Sequence, residues 1–256
     1  MKKIVMTTVF WAVVIVLSGQ SPSSVHSFRE DQKKNPRVRT AYLEKEGTVK
    51  KLLAEHSIDA GNLKIFIRIF KKEGLLEMWA SGKNESLFSL LKAYTICASS
   101  GNPGPKRKGG DGQVPEGFYH IEGFNPYSNF YLSLKVSYPN QSDKILGDKK
   151  NPGGDIFIHG NCVTIGCIPV TDEKIKEIYL LAVEAKNTGQ SVIPVHIFPC
   201  KMDEEGMKYL ANKYAGQPTK FSFWKNLEQG FTWFEKEKKI PVVSVNKDGT
   251  YAFRNE

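Results

Sequence analysis

The sequence predicts an α+β fold, mainly β through its middle, with helices flanking that region. Three observations carry this. Short apolar runs of strand type recur between positions 63 and 159, amphipathic helical patterns stand over 38–56 and 203–238, and a capped helical stretch follows position 171. The chain has 256 residues, 40% hydrophobic and 25% charged, which suits one large domain or one domain with an appendage.

Taken in order, the first segment reads as a secretory signal. Lys2 and Lys3 give a positive start, Ile4–Leu17 is apolar but short for a membrane span, and Ser18–Ser27 is small and polar. Cleavage is expected before Phe28, with an uncleaved membrane anchor as the alternative. Residues 28–36 are polar and are expected to form a flexible terminus. A helix follows over 38–56, with Leu43, Val49, Leu52 and Leu53 spaced for one face, and Asp59–Gly61 breaks it.

In Leu63–Phe70, Ile65, Ile67 and Ile69 alternate with Lys64, Phe66 and Arg68, and Leu75–Ala80 pairs with it across the turn at Glu73–Gly74. Further strands are expected at Leu90–Ala98, Phe118–Glu122, Phe130–Tyr138 and Asp155–His159. Ser99–Gly117 holds six glycines and three prolines and reads as a long loop, as does Asn140–Gly154. Beyond it, Thr171 suits an N-cap, Asp172 and Glu173 suit the positive first turn, and Ile175, Ile178, Ala182 and Ala185 share a face. Val192–Phe198 reads as a buried strand. Helices are expected over 203–214 and 221–238, and a last hairpin turns through Lys247–Asp248–Gly249.

The formal charge is +9, or +7 without residues 1–27, which carry two lysines and no acid. An exported protein with no basic–aromatic recognition motif is not expected to bind nucleic acid. A membrane contact is expected only through the first segment.

The chemistry concentrates in Ile156–Val170. An apolar strand delivers His159, a short loop leads to Gly166–Cys167, and a capped helix follows. A cysteine nucleophile needs a base to generate thiolate and donors for the developing oxyanion. His159, eight residues upstream, can serve as base, and Gly166 lets amides near Cys167 turn into the site. Residue types alone leave other readings open: a buried inert cysteine, a structural histidine, or a zinc site drawing on His159, Cys162, Cys167 and His196, whose spacing fits no common zinc template. His120 and His196 read as structural histidines. Of the four cysteines, Cys167 must be free if it is the nucleophile, so at most one bridge forms and one other cysteine is left over. A Cys162–Cys167 bridge would block the thiol; the alternative is Cys162 as a small loop residue.

The run His159–Gly160, a variable loop, Thr164, Gly166–Cys167 resembles the signature of the L,D-transpeptidase (YkuD-like) catalytic domain family. Ser100–Gly101 with Gly104–Pro105–Lys106, Gly110–Asp111–Gly112–Gln113, Pro115–Tyr119 and Tyr138–Asn140 with Asp143 resemble its YafK-like branch, over roughly residues 60–254. The resemblance implies a mostly β catalytic domain that acts on peptidoglycan stem peptides at meso-diaminopimelate through a cysteine thioester, with no cofactor and no metal. It implies Cys167 as nucleophile, His159 as general base, Gly166 and Cys167 amides as oxyanion hole, and Thr164 and Gly160 as shapers of the loop. Many members carry histidine where this chain has Ile165, and arginine where it has Pro169. Lys106 is the candidate to replace that charge, against a solvated loop lysine; Asp111 and Gln113 either line the cleft or make a turn.

The chain is thus expected to divide into a signal peptide (1–27), an N-terminal helical segment (28–59), the catalytic domain (60–200) and a C-terminal helical extension packed on it (201–256). The expected function is an exported, periplasmic or cell-envelope L,D-transpeptidase. The alternatives are an L,D-carboxypeptidase or endopeptidase of the same fold, or a non-catalytic wall-binding domain.

Overall fold

The computed structural model describes residues 27–82 and 87–255, so the signal segment, up to its last residue Ser27, lies outside the described residues. Among the described residues no helix is long and apolar enough to cross a membrane. The fold is α+β, organised by one sheet of eight strands.

Two helices come first, α1 (Phe28–Lys33) and α2 (Pro36–Glu55). The polar run 28–36 is therefore helical and not a loose terminus. Ser27 caps α1 by accepting from the Glu30 N–H, and Asn35 caps α2 by accepting from the Arg37 N–H. The buried face of α2 is Val38, Ala41, Tyr42, Val49 and Leu53, while Leu43 is 89% exposed. Leu43 stands one residue, about 100° around the helix, from Tyr42, and the register set by Val38, Tyr42, Val49 and Leu53 excludes it.

The strands are β1 (Lys64–Phe70), β2 (Leu75–Ser81), β3 (Ser89–Thr95), β4 (Gly117–Asn125), β5 (Ser133–Val136), β6 (Phe157–His159), β7 (Ile168–Pro169) and β8 (Pro194–Phe198). Their order is β3-β2-β1-β8-β4-β5-β6-β7. The β1–β2 hairpin turns at Gly74, whose φ of 59° favours glycine. The strand expected over 130–138 is shortened to β5, which leaves Phe130 in the preceding loop. The loop expected over 140–154 contains a helix, α3 (Gln141–Leu146). Asn140 and Asp143 form a reciprocal capping box there, enough to nucleate one short turn.

Helices cover both faces of the sheet, and this explains a departure in β1. Ile65, Ile67 and Ile69 face a core shared with α2 and α4 (Asp172–Asn187). Every residue of α4 from Ile175 to Ala185 is buried, because α1 and α2 lie over its outer side. The opposite face of β1, Phe66 and Arg68, is equally buried. There α5 (Glu204–Lys213), α6 (Pro218–Glu237) and the hairpin β9 (Val242–Val245) and β10 (Tyr251–Arg254) pack an aromatic core around Phe70, Phe198, Trp224 and Phe231. Arg68 lies among these rings with its guanidinium 2.6 Å from Glu235 of α6 and 5.0 Å from the Phe231 and Phe234 centroids. An alternating strand that would show one polar face to water is thus covered twice.

Candidate active site

The site lies at the end of the sheet, where β6 pairs in parallel with β7, Ile158 opposite Ile168 and His159 opposite Pro169. Ile158 and Ile168 point into the core. Alternation along β6 then sends Phe157 and His159 to the other face, and Cys167 immediately precedes β7. The register sets His159 opposite Pro169, two residues after Cys167.

His159 is buried, and its Nδ1 lies 2.5 Å from the Gly160 carbonyl oxygen. A carbonyl only accepts, so Nδ1 carries the hydrogen and Nε2 is left as the basic nitrogen. The Phe130 ring lies 4.6 Å from the imidazole centroid. Burial pushes the imidazole pKa below its ordinary 6.5, against the opposing Gly160 hydrogen bond.

Cys167 is half-buried, and its thiol donates to the Asp155 carbonyl at 3.5 Å. Burial pushes the thiol pKa up; the Phe157 N–H opposes this, the Asp155 charge adds to it and the Lys106 charge opposes it. The raised thiol and the lowered imidazole both favour the neutral forms. Such a pair suits general-base activation at the moment of attack.

The loop between them is held at each end. A Cβ on Gly160 would stand 2.5 Å from Asp172 Oδ1 and 2.9 Å from the Phe130 carbonyl, so only glycine fits. The next residue, Asn161, is left-handed (φ 59°) and donates its N–H to Asp172 Oδ1 at 2.8 Å, tying the loop to the first turn of α4. Thr164 Oγ1 donates to the Cys167 carbonyl at 2.8 Å and accepts from the Gly166 N–H at 3.1 Å. The Gly166 amide is thus engaged within the loop, and an oxyanion hole here leans on the Cys167 amide. Gly166 itself has a φ of 136°, and its Cα side closely approaches the Gln113 carbonyl.

Cys162 is neither a free loop residue nor a partner of Cys167. It is disulfide-bonded to Cys97, just past the end of β3, while Cys167 and the buried Cys200 are free. This removes Cys162 as a metal ligand and pins the exposed middle of the loop to the sheet. His196 is buried between the edges of Phe66 and Phe118, and its pKa falls to about 3 through burial and the Arg68 charge. His120 is exposed and bonded to Ser137, outside the cleft.

The glycine-rich loop forms the other wall. A cleft reaching Cys167 and Ile168 is bounded by Gly101, Pro103, Val114 and Ile96. Lys106 is no solvated loop lysine: it is 5% exposed, with Nζ 2.6 Å from Asp111 Oδ1 and 2.9 Å from the Lys108 carbonyl. Asp111 also accepts the N–H groups of Arg107, Lys108 and Gln113. Burial opposes ionisation of Asp111, but these donors outweigh it and hold its pKa low. The Gln113 side chain accepts from the Asn102 N–H at 3.1 Å. Asp111 and Gln113 therefore build the loop, and Lys106 is neutralised in place.

A residue that sequence reasoning passed over anchors this wall. Glu116 is fully buried and accepts from Lys71 Nζ at 2.9 Å, the Gly104 N–H at 2.6 Å and the Trp224 indole N–H at 2.8 Å. Lys71 also donates to the carbonyls of Gly104 and Val114. The only signal was an acid within the Pro115–Tyr119 run, with partners 45 and 108 residues away.

The family model for the L,D-transpeptidase catalytic domain (YkuD) matches residues 64–197. YafK of Escherichia coli K12, a candidate L,D-transpeptidase, is 36% identical over 183 residues, covering 71% of this chain and 70% of its own. Among solved structures, the helical cell shape determining protein Pgp2 of Campylobacter jejuni aligns at TM-score 0.43 and 16% identity, covering 72% of this chain and 73% of its own. Bd1075 of Bdellovibrio bacteriovorus aligns at TM-score 0.39 and 17% identity, covering 74% and 79%. At those scores neither structure bears on function. The family model and the YafK match do: the chain belongs to the L,D-transpeptidase catalytic domain family and is a cysteine-dependent enzyme of it.

Proposed function

We propose that the chain is an exported peptidoglycan L,D-transpeptidase with Cys167 as nucleophile and His159 as general base. The observation that supports this most is the pairing of the strand that carries His159 with the segment directly after Cys167, with His159 Nδ1 tied to Gly160 so that Nε2 is basic. The thiol attacks the carbonyl of a meso-diaminopimelate residue in an L,D-linkage. A Cys167 S–C bond forms as the peptide C–N bond breaks. His159 takes the thiol proton and returns it to the leaving amine, and an acceptor amine then resolves the thioester.

Hydrolysis is the second reading. Val163 and Ile165, in the loop that leads to Cys167, are 51% and 91% exposed, and Cys167 itself is partly exposed, which favours access of water to a thioester there. Export is supported by Lys2–Lys3 with the apolar stretch after them, and by the Cys97–Cys162 bridge, which needs an oxidising compartment. The test is mass spectrometry of purified muropeptides incubated with the wild-type chain and with Cys167→Ala. New cross-links between diaminopimelate residues indicate transpeptidation, and shortened stems or cut bridges indicate hydrolysis. No Cys167-dependent change overturns the enzymatic reading on this substrate.

A further inference from the structure

Two lysines line the cleft beside Cys167: Lys71 is bound by Glu116, and Lys72 lies 4.5 Å from the Tyr209 ring centroid and 3.9 Å from Glu73. Position 169 is proline, and Lys106 is neutralised by Asp111. The far side of the glycine-rich loop carries two more cations. A groove runs there between the loop and α6, lined by Gly104, Arg107, Gln113, Leu146, Lys220 and Phe223. Gln113 joins it to the catalytic loop, since its carbonyl lies 3.3 Å from where a Cβ on Gly166 would stand.

Lys220 comes from the first turn of α6. Its ammonium lies 5.0 Å from the Tyr214 ring centroid and 5.8 Å from that of Trp224. It also lies 3.2 Å from where a Cβ on Gly104 would be, at the crest of the loop. The rings hold the head group in place without neutralising it, and no carboxylate among the described residues lies within the 4.0 Å of an ion pair. Glu116, beneath the same loop, is consumed by Lys71, Gly104 and Trp224. Arg107 stands across the groove, 4.8 Å from the Phe223 ring centroid, with one N–H directed to Asp143 at 3.3 Å and further donors remaining. The groove therefore combines an unneutralised ammonium, a guanidinium and the apolar surfaces of Leu146 and Phe223. That combination fits an acidic peptide with aliphatic side chains.

We propose that this groove is a subsite for a free carboxylate of the peptide stem, with Lys220 as its specificity-determining cation and Arg107 beside it. The proposal rests on the peptidoglycan reading above and deepens it. Meso-diaminopimelate has two carboxyl groups, so a stem linked through one still presents the other. The substrate then runs from Cys167 over Gln113, and α6 contributes to recognition as well as to the aromatic core.

The test is calorimetric binding of an acidic stem tetrapeptide, and of the same peptide with its carboxylates amidated, to the full chain carrying Cys167→Ala. Adding Lys220→Ala is expected to weaken the acidic peptide about tenfold and to leave the amidated one unchanged, with Lys220→Arg restoring most of the affinity. No loss, or an equal loss for both peptides, overturns the subsite. Muropeptide turnover by the Cys167 form separates the two levels. If Lys220→Ala matches the wild type in KM, the subsite falls and the enzymatic reading stands. If the wild type neither binds nor turns over stem peptides, both fall.

Discussion

Replacing Glu116 by glutamine tests what holds the glycine-rich wall of the cleft. The side chain is fully buried, and its two oxygens accept from Lys71 Nζ, the Gly104 N–H and the Trp224 indole. Glutamine keeps the shape but offers one acceptor oxygen, and its NH2 meets a donor. It also leaves Lys71, whose side chain is 8% exposed, without its carboxylate. Breaking a buried pair on one side costs about 3–5 kcal/mol. For a chain of this size that is roughly 10 °C in Tm.

The deficit should depend on pH. Burial already lowers the Lys71 pKa, against the opposing Glu116 charge and hydrogen bond, and without Glu116 it falls further. A lysine whose folded pKa lies below its unfolded value loses stability as pH falls, so the Glu116→Gln deficit should shrink as pH rises from about 7 toward about 10. Urea unfolding across that range measures it, and tryptic cleavage at Arg107 and Lys108 should quicken in parallel. Lys71→Met combined with Glu116→Gln should recover part of the loss, because the unpaired cation is gone. A single-variant loss below about 1 kcal/mol, against the pair-breaking cost expected, or one that does not change with pH, would refute the reasoning.

Three further outcomes follow from the catalytic loop. Gly160→Ala forces a Cβ to 2.5 Å from Asp172 Oδ1 and 2.9 Å from the Phe130 carbonyl, so Cys167-dependent turnover should fall at least ~10²-fold through misplacement of His159; near-wild-type kcat would contradict this. The acid limb of kcat/KM should fall below pH 6.5, because burial lowers the His159 pKa, while the iodoacetamide reactivity of Cys167 should still climb with pH at about 8.5, because burial raises the thiol; an alkylation rate flat from acid pH upward would instead indicate a resting thiolate–imidazolium pair. Cys97→Ser with Cys162→Ser removes a bridge closing 65 residues of sequence separation, and the loop-entropy relation gives a loss of about 4 kcal/mol, read by denaturant unfolding with and without reductant; equal stability of variant and wild type would deny the bridge a structural role.

Local sequence was enough for the elements that carry their own signals. The acidic first turn of α4, the β1–β2 hairpin and the strand leading to His159 are encoded within a few residues, and the structure forms each of them, though Thr171 makes no side-chain cap bond. The α+β class follows from their order. The family, too, was readable, because Gly160, Gly166 and Thr164 are fixed by short-range demands: a crowded Cα, a positive φ and a hydroxyl bridging backbone groups two and three residues ahead of it.

Tertiary structure decided what depends on distant partners. Nothing near Cys162 specifies Cys97, 65 residues away, so the choice between a free thiol, a blocked nucleophile and a structural bridge waited on the fold. The alternation of β1 left open what lies against Phe66 and Arg68, and α6 supplies it. Lys106 read as a candidate for substrate until Asp111 was seen to neutralise it, and Lys220 was one basic residue among many until α6 set it on the glycine-rich loop. Periodicity and motif are local properties of the chain, whereas burial and the pairing of charges belong to whichever segments the sheet brings together.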